Sequence, residues 1–212
     1  MAKFFDKFPK ELYTLEEKPQ SLDSVTNICT RMAFGQDFKE NAATYYEYDI
    51  QEGEKPELIA HKLYGSPEQH WIVLMMNDII DPYYDWPMSQ SVFNEYINTK
   101  YSEQAQANNT TGIKWAANNV KSYYINEKRS VVGSNVVTEE SSEVDYDTWV
   151  ATDISLDDIT LDDGTKIIIE VKKTSKTYFE YENELNESKR KIKLVRPGLA
   201  GSLNKEFKKV IS

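Results

Sequence analysis

The chain has 212 residues, 40% of them hydrophobic and 28% charged, a composition that supports one ordinary core and excludes a disordered chain. Its formal charge of -10 argues against non-specific nucleic-acid binding, which needs basic side chains to neutralise phosphates. The longest apolar run, Trp71 to Met76, falls far short of the roughly 20 residues that cross a bilayer.

Composition breaks suggest four stretches: 1–44, 45–101, 102–175 and 176–212. The first opens on Met1-Ala2-Lys3-Phe4-Phe5-Asp6, with no apolar stretch before its first acid, so no secretory signal is expected. Phe4, Phe5, Phe8 and Tyr13 form an aromatic arm that could dock on a neighbour or pack on its own core. A helix is predicted from Ser24, with Val25, Ile28, Cys29 and Met32 on one face. Cys29 is the one cysteine, which excludes an internal disulfide, fits a reducing compartment and reads as a small buried hydrophobe.

The second stretch carries the most information. Tyr45 to Ile50 is β-rich, and Glu52-Gly53-Glu54 supplies a turn. Pro56 suits the first turn of a helix, where its missing N–H costs nothing. Leu58, Ile59, Ala60, Leu63 and Tyr64 give that helix its apolar residues, and Gly65 ends it by taking a left-handed conformation. Ser66-Pro67-Glu68-Gln69 reads as a capping box for the next helix. Trp71 to Met76 is apolar all round, so this helix must be enclosed on nearly every side; Asn77 closes it. The aromatic segment Asp81-Pro82-Tyr83-Tyr84-Asp85-Trp86-Pro87 looks irregular, and Ser89 to Tyr101 looks helical. The expected core is Leu58, Ile59, Tyr64, Gly65, Trp71, Leu74 and Met75.

A strand, a helix ending at Tyr64-Gly65, a second helix ending at Asn77 and a return segment resemble the order of a LysM module. Leu63-Tyr64-Gly65 through Asn77-Asp78, followed by Asp81-Pro82-Tyr83-Tyr84-Asp85-Trp86, further resembles the baseplate wedge subunit encoded by gene fifty-three of T4-like contractile-tailed phages. The resemblance covers roughly Tyr45 to Tyr101, with weaker echoes in the preceding helix and at the C-terminus. It implies an α+β fold, a LysM-like βααβ module with flanking helices and a C-terminal β-hairpin and helix region. It also implies a structural role, joining wedges around the tail hub by gripping other wedge and hub proteins and neighbouring wedges, in a virion assembled in the bacterial cytoplasm. Phe4, Phe5, Tyr83, Tyr84 and Trp86 are the expected interface, because aromatics bury large area at little entropic cost. Trp86 could equally close the module's own core.

Ser102 to Asn119 is polar and reads as a loop or insertion. Val120 to Ile125 and Val131 to Thr138 are predicted strands, and Ile159 to Val171 a hairpin turning at Asp163-Gly164. Helices are predicted through Tyr178, Tyr181 and Leu185 and through Leu203, Phe207, Val210 and Ile211, with a short strand at Ile192 to Val195. Charge is uneven: Glu139 to Glu170 holds eleven acids and one base, Lys166. Two solvated faces are the plain reading of that asymmetry, and steering of partners the functional one.

No constellation for catalysis is legible. The two histidines, His61 and His70, lack a zinc-binding helical pair, and no Gly-x-Ser-x-Gly elbow or phosphate loop occurs. A calcium loop with Gly164 at its sixth position would put Ile159 and Leu161 where carboxylates are required. No enzyme, cofactor, metal, nucleic acid or membrane is therefore expected. The alternative function is a LysM protein that binds peptidoglycan or chitin oligomers. Against it stand the absent export signal and a second helix too apolar to line a sugar groove.

Overall fold

A computed structural model describes residues 8–14, 22–27 and 32–211. In chain order the elements are β1 (Lys10–Tyr13), β2 (Asp23–Thr26), α1 (Gln36–Glu40), β3 (Tyr45–Asp49), α2 (Pro56–Tyr64), α3 (His70–Met76), α4 (Pro82–Asp85) and α5 (Gln90–Lys100). They continue with α6 (Ser102–Ala107), α7 (Gly112–Asn118), β4 (Val120–Val131), β5 (Val137–Val144), α8 (Tyr146–Ala151), β6 (Ser155–Thr160) and β7 (Lys166–Thr177). Helix α9 (Tyr178–Ser188), β8 (Lys191–Val195) and α10 (Pro197–Ile211) complete an α+β chain. Two compact units divide it, 1–89 with 187–212 and 90–186, so the second is an insertion within the first. These boundaries differ from the composition breaks near 44, 101 and 175.

In the first unit β3 pairs antiparallel with β8, from Tyr45 opposite Val195 to Asp49 opposite Lys191. Side chains alternate along β8, so Ile192 and Leu194 enter one apolar cluster and Val195 another. Helix α3 also serves both, sending Val73 to the first and Trp71, Ile72 and Met76 to the second. Trp71 is buried and stacks on Phe207 at 4.4 Å. Ile59 is buried, whereas Tyr64, Leu74 and Met75 are half-buried against the clusters. Gly65 has φ +77° and donates its N–H to His61 O at 3.0 Å, a conformation that a Cβ would strain.

Several expectations are corrected. Leu58 is 45% exposed: Ile59, Ala60 and Leu63 share the inward face of α2, and a 100° step back from Ile59 points Leu58 outward. Ser66 makes no side-chain cap, and Pro67–Gln69 forms a 3-10 turn leading into α3. The helix predicted from Ser24 is instead β2, where β-branched Val25 and Thr26 favour extended backbone. Val25 lies opposite Glu11, and Asn27 adds a 2.7 Å side-chain bond to Glu11. Ile28 and Cys29 lie outside the described residues. The return strand is not the segment after α3, which forms the one-turn helix α4, but β8, far along the chain.

The second unit corrects two more. Ser102 to Asn119 is not a loop but holds α6 and α7, whose Ala105 and Ala116 are buried. Small side chains hidden in a polar sequence let the helices approach closely. A Cβ at Gly112 would come within 2.6 Å of the Asn98 backbone. Val131 to Thr138 is not one strand: Val131 ends β4, Val137 and Thr138 begin β5, and 132–136 is the turn between them, with Gly133 at φ +81°. The sheet has the order β5-β4-β7-β6, all antiparallel. The Asp163-Gly164 hairpin joins β6 to β7, with Gly164 at φ +83°.

Because Trp71 is buried in the cluster that Val195 enters, Trp71→Ala should cost about 3–5 kcal/mol, while Leu58→Ala should cost under about 1 kcal/mol. Urea unfolding of both variants against the parent measures the contrast.

Candidate functional site

The segment from Asn77 to Trp86 holds large apolar side chains in water on a tightly bonded backbone. Asn77 closes α3 by spending its amide on β8. Its Oδ1 accepts from Lys193 N at 2.7 Å, and its Nδ2 donates to Lys193 O at 2.8 Å and to Val73 O at 2.8 Å. The side chain therefore mimics one more rung of a sheet on β8. Asp78 then takes φ +54°, a left-handed turn that Asp tolerates better than most residues. Its carboxylate pairs with the buried Lys39 ammonium.

From that turn the chain enters α4 under four constraints. Asp81 caps the helix, accepting from Tyr83 N at 2.9 Å, while Asp85 Oδ2 accepts from Asp81 N at 3.1 Å. Lys189 Nζ donates to Tyr84 O. Trp86 Nε1 donates to Glu54 O at 2.8 Å, inside the core. Between these anchors Ile80 is 76%, Tyr83 86% and Tyr84 68% exposed. Beside this ledge is a recess whose lining includes Asp78, Asp85, Lys189 and Lys191. The arrangement offers aromatic area next to charges of both signs, chemistry that suits protein contact.

Of the expected interface residues, Tyr83 and Tyr84 lie here, and Phe4 and Phe5 lie outside the described residues. Trp86 belongs to the core rather than the interface, being 7% exposed, because its indole N–H needs a buried acceptor and Glu54 O supplies one. Sequence reasoning misses Ile80, since nothing in the adjacent pair Ile79-Ile80 says which packs on the core and which faces water. Among the described residues no group of three or more His, Cys, Asp or Glu could hold a metal, and no helix is long and apolar enough to cross a membrane.

Glu54 belongs by sequence to a turn, yet its side chain is buried. It accepts from Lys62 Nζ at 2.5 Å, Tyr48 OH at 2.8 Å and Gln51 N at 3.0 Å. Burial pushes its carboxyl up, but these three hydrogen bonds together outweigh that and hold it below the usual carboxylate range. Burial and the same carboxylate push the Tyr48 phenol up to about 12. In the second unit Glu182 is held similarly. Burial raises its pKa, but bonds from Lys100 at 2.7 Å and Tyr101 at 2.8 Å leave it lowered overall.

A group whose pKa is lowered by folding stabilises the fold above its unfolded value, and that contribution is lost as pH falls through the folded one. Thermal midpoints should therefore drop as pH falls through and below the usual carboxylate range. Glu54→Gln should lower the neutral-pH midpoint and flatten its dependence on pH, a comparison that calorimetry across that range makes directly.

Removing the Asn77 amide with Asn77→Ala leaves the backbone N–H and C=O of Lys193 unpaired. It should cost about 1–3 kcal/mol in the same urea assay.

The family described as Base plate wedge protein 53 matches residues 2–207 of the chain. The Baseplate wedge protein gp53 of Enterobacteria phage T4 is 41% identical over 58 residues. That match spans 27% of this chain and 28% of the relative's length.

Proposed function

The chain belongs to the base plate wedge protein 53 family, and from that premise we propose that it joins wedge subunits to one another around the tail hub. In this reading it is a non-catalytic component of the virion tail, assembled in the bacterial cytoplasm. Its partners are other baseplate wedge and hub proteins and neighbouring wedges, rather than nucleic acid, membrane or sugar. The formal charge of -10 fits protein partners better than phosphate backbones.

The observation that carries the reading is the ledge of Ile80, Tyr83 and Tyr84. Exposed aromatics cost a free subunit solubility, and here the backbone beneath them is anchored at Asn77, Asp81, Asp85 and Trp86. A surface held that firmly loses little entropy on binding, so the aromatic area converts efficiently into affinity.

The test is co-purification of the tagged chain with the other baseplate proteins of the same phage, read by mass spectrometry. Fixed-ratio recovery is expected for the parent chain. Tyr83→Ser combined with Tyr84→Ser should abolish it while shifting stability by no more than about 0.5 kcal/mol. Equal recovery by the variant would remove the ledge from the interface. No recovery by the parent, with a tryptophan fluorescence shift on adding chitin oligomers, would replace wedge joining with sugar binding.

A further inference from the structure

The sheet of the second unit ends in two edge strands, β5 and β6, and no other strand among the described residues pairs with either outer side. An edge of this kind presents a row of backbone donors and acceptors to any extended segment, and proteins usually blunt it with charge. Edge β5 is blunted: it reads Val-Thr-Glu-Glu-Ser-Ser-Glu-Val, and Glu139 is engaged by Lys128 at 2.8 Å. Edge β6 also carries acids, Asp157 and Asp158, but sets them between exposed apolar side chains. Leu156 is 71% and Ile159 47% exposed along it, with Ile154 at 70% and Leu161 at 45% just beyond its ends.

The register shows what the edge lacks. On one face Val131 lies opposite Ile167, and Ile167 opposite Ile159, an apolar row across three strands that stops at the open side of β6. Two residues along that face Asp157 lies opposite Ile169 and forms no ion pair among the described residues. On the other face Leu156 is bare, and Asp158 is already held by Lys166 at 2.6 Å. Charge around the edge has one sign: Asp153, Asp157, Asp158, Asp162 and Asp163 lie within or beside β6, against Lys166 alone.

We propose that β6 is a docking edge for an extended, basic and aliphatic segment of another protein, which adds to the sheet as a fifth strand. Its backbone takes up the outer hydrogen bonds of β6. One face of it places an aliphatic residue beside Ile159 and a Lys or Arg beside Asp157, and the other an aliphatic residue beside Leu156. Read antiparallel, that order is Val-Thr-Lys-Val or a chemical equivalent. The acids exclude an acidic strand from the same edge, so charge sets specificity and the ladder supplies affinity. The edge uses none of the ledge residues, and its failure would leave the wedge-joining role untouched.

The probe is a short fluorescein-labelled peptide built on Val-Thr-Lys-Val, titrated into the full chain by anisotropy, with amide hydrogen exchange read along the sheet. Saturable binding that slows exchange across 155–160 is expected. Replacing the peptide lysine by glutamate should weaken it about tenfold, as should Asp157→Lys in the chain. Combining the two changes should restore it. N-methylation of the peptide's ladder amides should abolish it, and Leu156→Lys should weaken it without moving the unfolding midpoint. The proposal falls if the peptide does not bind at millimolar concentration, if N-methylation leaves binding intact, or if protection appears on β5. Concentration-dependent self-association of the chain through β6 would also overturn it, because the occupant would then be a second copy.

Discussion

Everything in the first unit depends on β8 returning to β3. A two-stranded ladder of this length is marginal in water, so it persists only because both faces of β8 are built into apolar clusters. Ile192 and Leu194 anchor one and Val195 the other. The Asn77 amide then fastens α3 to the same strand through both polar groups of the Lys193 backbone. At the far end Arg190 bonds Glu52 at 2.9 Å and Ile50 O at 3.2 Å, closing the turn after β3. The ladder must form across an insertion of an entire folded unit, whose loop-closure cost grows only slowly with length.

This anchoring explains how an exposed aromatic ledge can be stable. Trp86 and Tyr83 sit three positions apart with opposite fates, the first bonded within the core and the second almost wholly in water. The difference lies in the backbone, which α4 and its Asp81 cap turn so that Tyr83 and Tyr84 cannot follow Trp86 inward. Lys39 and Asp78 mark the hinge of that turn; their ion pair has one exposed partner, so positioning matters more there than energy.

The inserted unit follows a different logic. Its helices α5 to α7 bury Phe93, Ile97, Tyr101, Ala105 and Ala116, and Trp115 packs on Tyr101 and Tyr178 at 5.4 and 5.1 Å. The sheet, by contrast, keeps much apolar surface half-exposed. Helix α8 covers one end of one face, where Trp149 and Tyr146 sit over Tyr123. The remaining row runs through Val131 and Ile167 to Ile159, which is 47% exposed. Alternating Lys and Glu side chains on the opposite face make that face fit for solvent.

Local signals were legible wherever a residue's chemistry allows few backbone states. Pro56 and Gly65 bracketed α2, the unbroken apolar run required α3 to be enclosed, and Asp163-Gly164 marked its hairpin. The chain also carried the Asp81 to Trp86 pattern from which family membership could be read. Directions in space were not legible. Whether Leu58 faces in, whether Trp86 or Tyr83 is buried, and that Asn77 bonds a residue 116 positions away are decided by which partner arrives alongside. The same holds for α6 and α7, whose polar sequence conceals alanines that matter only once α5 lies against them. Periodicity and turn chemistry are properties of neighbours in sequence, so the sequence alone determined the elements that such signals bound, α2, α3 and the β6–β7 hairpin. Burial and exposure are properties of neighbours in space, and only the tertiary structure decided them.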